Sequence, residues 1–290
     1  MFSTVLIGTD LSEASDRVIG CLQGLKGLGT RKVILLHALG LKHLDAMRPL
    51  LAERVEPKLS SQQQAVKQQG FEVEVEIATG LPIPAITDTA LERKVSMIMV
   101  GSHGATLFRD ALLGGVATGV VHQATVPVLV MEMRLLEEDG STRCELICKD
   151  IRERLMFATD FSDTAERAFT YVEEIVKAGA RQVILIHVQD KAHIGKHLED
   201  RLDEFNRTDQ ARLERLKERL VQKGAADVRI ELPYGSPIQE ILKISKSQQP
   251  SLVVMGSQGR GFIREIFLGS VSHAVVRHSD VPVLLIPAVR

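Results

Sequence analysis

The feature that most constrains this chain is that its pattern is written twice. TVLIGTD at 4–10 returns as RLMFATD at 154–160, and RKVILLH at 31–37 returns as RQVILIH at 181–187, both at an offset of 150. Three later pairs are offset by 155: TGLPIPAI at 79–86 with YGSPIQEI at 234–241, MIMVGSHG at 97–104 with LVVMGSQG at 252–259, and VPVLV at 126–130 with VPVLL at 281–285. The second copy thus gains five residues between His187 and Gly235 and otherwise keeps register. A unit of this length is a whole domain, not a solenoid repeat. We expect domain one over 1–133, a linker over 134–150 and domain two over 151–290.

Each copy alternates short aliphatic runs with longer amphipathic stretches. TVLIG, VILLHAL, VEVEIA, SMIMVG and VPVLVM are short and continuously apolar or β-branched, as buried strands are. Ala14, Val18, Cys21, Leu22, Leu25 and Leu28 fall on one helical face. Ala165, Ala168, Phe169, Val172, Ile175 and Val176 do the same in copy two. Ser12 and Ser162 stand where N-caps belong. The order βαβαβαβαβ implies an α/β fold with a parallel sheet covered by helices on both faces. Ligands of such sheets sit beyond the carboxyl ends of the strands, where the strand order reverses.

Of 290 residues, 44% are hydrophobic and 25% charged, and Lys plus Arg (36) nearly balances Asp plus Glu (37). That balance gives no reason to expect nucleic acid or an anionic membrane as partner. No apolar run has the length of a membrane span, and the amino-terminal residues lack the form of a secretory signal. The three cysteines, Cys21, Cys144 and Cys148, make no disulfide framework, so a cytoplasmic setting is expected. Cys144 and Cys148, with no second pair, make a poor zinc site. No metal site built from protein ligands alone is expected.

The residues that carry chemistry follow strand four of copy two. Gly256, Ser257, Gln258 and Gly259 form a turn, and Gly269 and Ser270 open a helical pattern after nine more residues. Glycines let backbone N–H groups approach an anion, and a helix start adds free N–H groups and the positive dipole end. Arg260 adds a charge beside the first turn or stays in solvent. The plain alternative is a tight turn and a helix entry with no ligand. Placement after strand four, the second Gly-Ser and an Asp after strand one favour the phosphate reading.

The pattern Gly-x2-Gly-x9-Gly-Ser, the strand-one Thr-Asp and the closing VPVLL run resemble the universal stress protein family, in both copies. The resemblance implies two tandem open parallel five-stranded sheets of order 3-2-1-4-5 flanked by helices, an adenine-nucleotide α-hydrolase-like fold. It also implies a stress-response role and binding of ATP or another adenine nucleotide, with Mg or Mn as metal candidates on the phosphates. Carried over, Ala158, Thr159 and Asp160 would border the ribose and phosphates, and the Val188 backbone would meet the adenine edge. Met255 and Gly256 would flank the ribose. Gly259, Gly269, Ser270, Val271 and Ser272 would hold the phosphates, with Gln258 and Arg260 as further nucleotide-binding candidates.

Copy one departs from the pattern. It has Gly101 and Gly104, but then Gly114 and Gly115, and Ala117 stands where copy two has Ser272. With hydroxyls missing, Asp10, Ala38, Gly101, Gly104, Gly114 and Gly115 are weaker candidates, and copy one is expected to bind nucleotide weakly or not at all. Asp10 and Asp160 have a second reading, as supports of helix one. His37 and His187 are expected to pack at the sheet edge, and His103, which is Gln258 in copy two, is no base of a shared reaction. Leu213, Leu216 and Leu220 supply the buried stripe of a long, otherwise solvated helix. The expected function is a nucleotide-binding regulator rather than an enzyme; a slow ATPase and a non-binding dimerisation scaffold are the alternatives. The last strands of the copies are expected to pair as an internal pseudo-dimer, with a homodimer as a further association.

Overall fold

The computed structural model describes residues 1–40, 48–102, 113–132, 134–138, 141–145, 150–195, 201–259 and 268–288. The chain divides into two compact units, Met1–Lys149 and Asp150–Arg290.

Unit one runs β1 (Thr4–Gly8), α1 (Glu13–Gly20), α2 (Gln23–Lys26), β2 (Lys32–Ala38), α3 (Arg48–Gln68), β3 (Glu72–Ala78), α4 (Pro82–Glu92), β4 (Met97–Gly101), α5 (Gly115–Gln123) and β5 (Val128–Met131). Its strands are parallel in the order β3-β2-β1-β4-β5. Central β1 shows no alternation: Val5, Leu6 and Ile7 are all buried, because helices cover both faces. Edge strand β3 alternates Glu with Val and Ile. Glu74 reaches Lys32 at 2.5 Å and also pairs with Arg93, which places charge on the open edge. Two further strands, β6 (Arg134–Glu138) and β7 (Ser141–Glu145), pair antiparallel within the segment expected as linker.

The first helix of unit one differs from its expected form. The chain leaves the helix at Cys21, whose N–H bonds the Val18 carbonyl, and resumes as α2. Gly20 and Gly24 stand in this stretch, where unit two has Thr170 and Glu174, and glycine weakens a helix interior by about 1 kcal/mol relative to Ala. The apolar face survives the break, since Ala14, Val18, Cys21, Leu22, Leu25 and Leu28 are all buried. Cys21 is disulfide-bonded, a pairing that the expectation of no disulfide framework did not foresee.

Unit two runs β8 (Arg154–Ala158), α6 (Asp163–Lys177), β9 (Gln182–Ile186), β10 (Gln189–Asp190), α7 (Lys191–Ile194), α8 (Leu202–Lys223), β11 (Asp227–Glu231), β12 (Tyr234–Gly235), α9 (Pro237–Gln248), β13 (Leu252–Gly256), α10 (Ser270–His278) and β14 (Val283–Ile286). The parallel order is β11-β9-β8-β13-β14, so the direction of winding reverses between β8 and β13. β10 and β12 form a short parallel pair, Gln189 beside Tyr234. α6 is unbroken. Its Ala165, Ala168, Phe169, Val172, Ile175 and Val176 are buried, with the Phe169 ring 5.4 Å from that of Phe157 on β8. Ser12 and Ser162 cap α1 and α6 as expected, accepting from Ser15 N and Ala165 N. No described helix is long and apolar enough to cross a membrane.

Candidate functional site

A cavity of about 720 Å³ opens at the carboxyl ends of β8, β9 and β13 in unit two, at the point of winding reversal. Ala158, Thr159 and Asp160 line it from the end of β8, Val188 from the end of β9, and Met255, Gly256, Gln258 and Gly259 from β13 and its turn. Gly269, Ser270, Val271 and Ser272 line it from the start of α10. Arg260 lies outside the described residues.

The turn and the helix start are clamped together by one carbonyl. Ser257 O accepts the Gly269 N–H at 2.7 Å and the Ser272 hydroxyl at 2.9 Å. The Ser272 hydroxyl therefore acts first on the protein, holding the start of α10 against the end of β13. Gly269 is the N-cap of α10 in extended conformation and has no side chain to cap with. The first intrahelical bond runs from His273 N to Gly269 O, so the N–H groups of Ser270, Val271 and Ser272 have no partner among the described residues. These donors, the exposed Ser270 hydroxyl and the dipole end of α10 suit an anion.

Glycine is required on the opposite side of the cavity. A Cβ on Gly259 would lie 2.5 Å from Asp160 Oδ2, and one on Gly256 2.9 Å from the Thr164 side chain and 3.2 Å from the Gln258 carbonyl. Asp160 supports the helix start and also borders the cavity. Its Oδ1 accepts from the Ser162 N–H (3.1 Å) and hydroxyl (2.6 Å), supporting the start of α6, while Oδ2 borders the glycine turn. Phe161 follows in left-handed conformation (φ 59°), its N–H donating to Thr159 Oγ1. Among the described residues, the amide and carbonyl of Val188 have no partner, and they flank the cavity beside Asp160.

His187 is buried, and its Nδ1 donates to the Thr159 carbonyl at 2.7 Å, tying the end of β9 to the end of β8. His37 makes the same bond to Thr9 O at 2.9 Å in unit one. Both histidines thus tie strand ends together, but they stand at the ends of interior strands and line the two cavities, not at the sheet edge as expected. His187 carries more than its counterpart: its ring packs on Phe161 with centroids 4.5 Å apart, and its Nε2 lies 3.6 Å from Asp209.

The sequence reading missed one whole wall. Gln189, Asp190 and Ile194 line the cavity from β10 and α7; Phe205, Thr208, Asp209 and Arg212 from α8; Pro237 and Ile241 from α9. Only Pro237 and Ile241 lie in a stretch that repeats between copies. The others fall in the interval where copy two is longer, and that extra length was the available signal.

Unit one has a smaller cavity, about 280 Å³, lined by Asp10, Ala38, Gly101, Gly114 and Gly115 among others. Gly104 and His103 lie outside the described residues. No residue of α3 and no Lys or Arg lines it among those described. Asp10 Oδ1 takes three donors at the helix start, Ser12 N, Ser12 Oγ and Ser15 Oγ. Ala117 has no hydroxyl to repeat the Ser272 clamp, although Gly114 N still bonds Ser102 O at 2.6 Å.

Comparison with known proteins identifies the family of the chain. The chain is 32% identical over 153 residues to universal stress protein MJ0577 of Methanocaldococcus jannaschii, covering 46% of this chain and 94% of that protein. It is 25% identical over 301 residues to a universal stress protein of Mycolicibacterium smegmatis, covering 97% and 96%. A universal stress protein structure from Archaeoglobus fulgidus superposes with a TM-score of 0.74 at 28% identity, covering 98% of this chain and 95% of that one. The universal stress protein family itself matches residues 1–132 and 152–287, and the chain belongs to that family.

Proposed function

We propose that unit two binds an adenine nucleotide, ATP, ADP or AMP, and that the bound nucleotide sets the conformation or partner choice of a stress-response regulator. The observation that carries this reading is the convergence of unpartnered backbone N–H groups at Ser270, Val271 and Ser272 with the Gly256–Gly259 turn on one cavity. The phosphates would lie against α10, the ribose between Asp160 and Met255–Gly256, and the base edge against the Val188 backbone. Among the described residues no cluster of three metal-ligating side chains exists. Mg or Mn would therefore be held chiefly by phosphate oxygens and water, with Asp160 the carboxylate beside the glycine turn. Unit one would serve as structural partner or weaker site.

We further propose that domain one spans 1–133 and domain two 151–290, joined through 134–150. The last strands of the two, each at an edge of its own sheet, would pair as a pseudo-dimer. Mass spectrometry of the denatured, freshly purified protein tests the ligand. Release of an adenine nucleotide supports the reading, and no nucleotide combined with no ATP binding by calorimetry sinks it. Phosphate release well above background would favour the slow-ATPase reading.

A further inference from the structure

The unit-two cavity is short of positive charge. Asp160, Asp190 and Asp209 all line it, and among the described lining residues Arg212 is the only Lys or Arg. Backbone N–H groups can orient a polyphosphate, but they carry only partial charge. An anionic ligand beside three carboxylates needs a full counter-charge.

Arg212 is placed for that task and lightly engaged elsewhere. Its guanidinium sits 5.1 Å from the centroid of the Phe161 ring, and its Nη1 is 3.5 Å from Asp209 Oδ1, one helical turn earlier. Among the described residues its guanidinium makes no hydrogen bond, and its one ion pair is the 3.5 Å approach to Asp209, so most of a five-donor fork is uncommitted at the cavity wall. Its side chain is 41% exposed, against 14% for Asp209, which leaves it room to move. Phe161, on which it rests, directly follows Asp160, the residue whose Oδ2 borders Gly259. Unit one lacks this arrangement. Lys58, which precedes buried Leu59 as Arg212 precedes buried Leu213, is exposed and does not line the smaller cavity, and Leu11 replaces Phe161.

We propose that Arg212 is the residue of α8 that senses phosphate charge, leaving the Phe161 ring to bind the nucleotide's phosphates and so coupling α8 to the ligand's phosphorylation state. This rests on the nucleotide reading of the cavity. The test is calorimetry of the full chain and its Arg212→Gln and Arg212→Lys variants with ATP, AMP and adenosine. Arg212→Gln is expected to weaken ATP about tenfold or more, AMP less, and adenosine by under about twofold, with Arg212→Lys recovering part of the ATP loss. An equal loss for adenosine and ATP, or no loss for ATP, overturns the proposal while leaving the nucleotide site standing. Failure of the unaltered chain to bind any of the three ligands overturns both. Far-ultraviolet circular dichroism and the melting temperature of each variant separate a folding defect from a binding one.

Discussion

Asp160 Oδ2 occupies the space that a side chain on Gly259 would need, 2.5 Å from where its Cβ would sit. A side chain at position 259 would therefore displace the carboxylate from its place beside the turn. Gly259→Ala is predicted to push the carboxylate away and narrow the phosphate end of the cavity. ATP affinity, measured by calorimetry, should fall about tenfold or more, equivalent to about 1.4 kcal/mol. The melting temperature should shift little, because the turn lies outside the packed strands and helices.

Ser272 is predicted to matter for stability as well as for ligand. Its buried hydroxyl donates to Ser257 O, and Ser272→Ala removes that bond while Gly269 N still satisfies the carbonyl. Urea unfolding should show a loss of about 1 kcal/mol. ATP affinity should fall in parallel, because the start of α10 is less firmly held. Unchanged stability would mean that the clamp does not form.

The entry to unit two carries a pH-dependent contact. Hydrogen bonds from Arg152 hold the Asp150 carboxyl below its ordinary value, against the opposing effect of partial burial. A carboxyl whose folded value is lowered adds stability above the unfolded value, and that stability is lost as pH falls through the folded one. The pair is half-exposed, so its contribution is about 0.5–1 kcal/mol at most. Asp150→Asn should cost about that much at pH 7 in urea unfolding, and the difference should shrink as pH falls below the ordinary Asp value of about 3.9.

The disulfide at Cys21 has a direct chemical readout. The chain's other cysteines are Cys144 and Cys148, so the bond leaves one thiol. Alkylation of the unfolded, unreduced protein should add one label by intact mass, and alkylation after reduction should add three. Three labels without reductant would contradict the bond.

Much of this was legible in the sequence because the physics behind it is local. Short aliphatic runs gave the strands, Ser12 and Ser162 gave the caps, and the glycine spacing gave residues that share one cavity. What was not legible depends on how elements meet. A buried stripe of Leu213, Leu216 and Leu220 identifies α8 as amphipathic, but it does not reveal that Phe205, Asp209 and Arg212 overhang the carboxyl end of the sheet. The Ser272 hydroxyl matched a phosphate donor by type, yet its donated bond goes to Ser257. Disulfide formation at Cys21 requires a spatial approach that spacing along the chain does not encode. The break after α1 needed the weight of Gly20 and Gly24 against an otherwise continuous apolar face.

The central claim is asymmetry: two copies of one fold, with the nucleotide chemistry complete in the second. Calorimetric titration of the full chain with ATP tests it most directly. The account predicts one equivalent bound tightly, with any second event at least about tenfold weaker. Two equal sites, or a single site that survives Gly259→Ala unchanged, would contradict it.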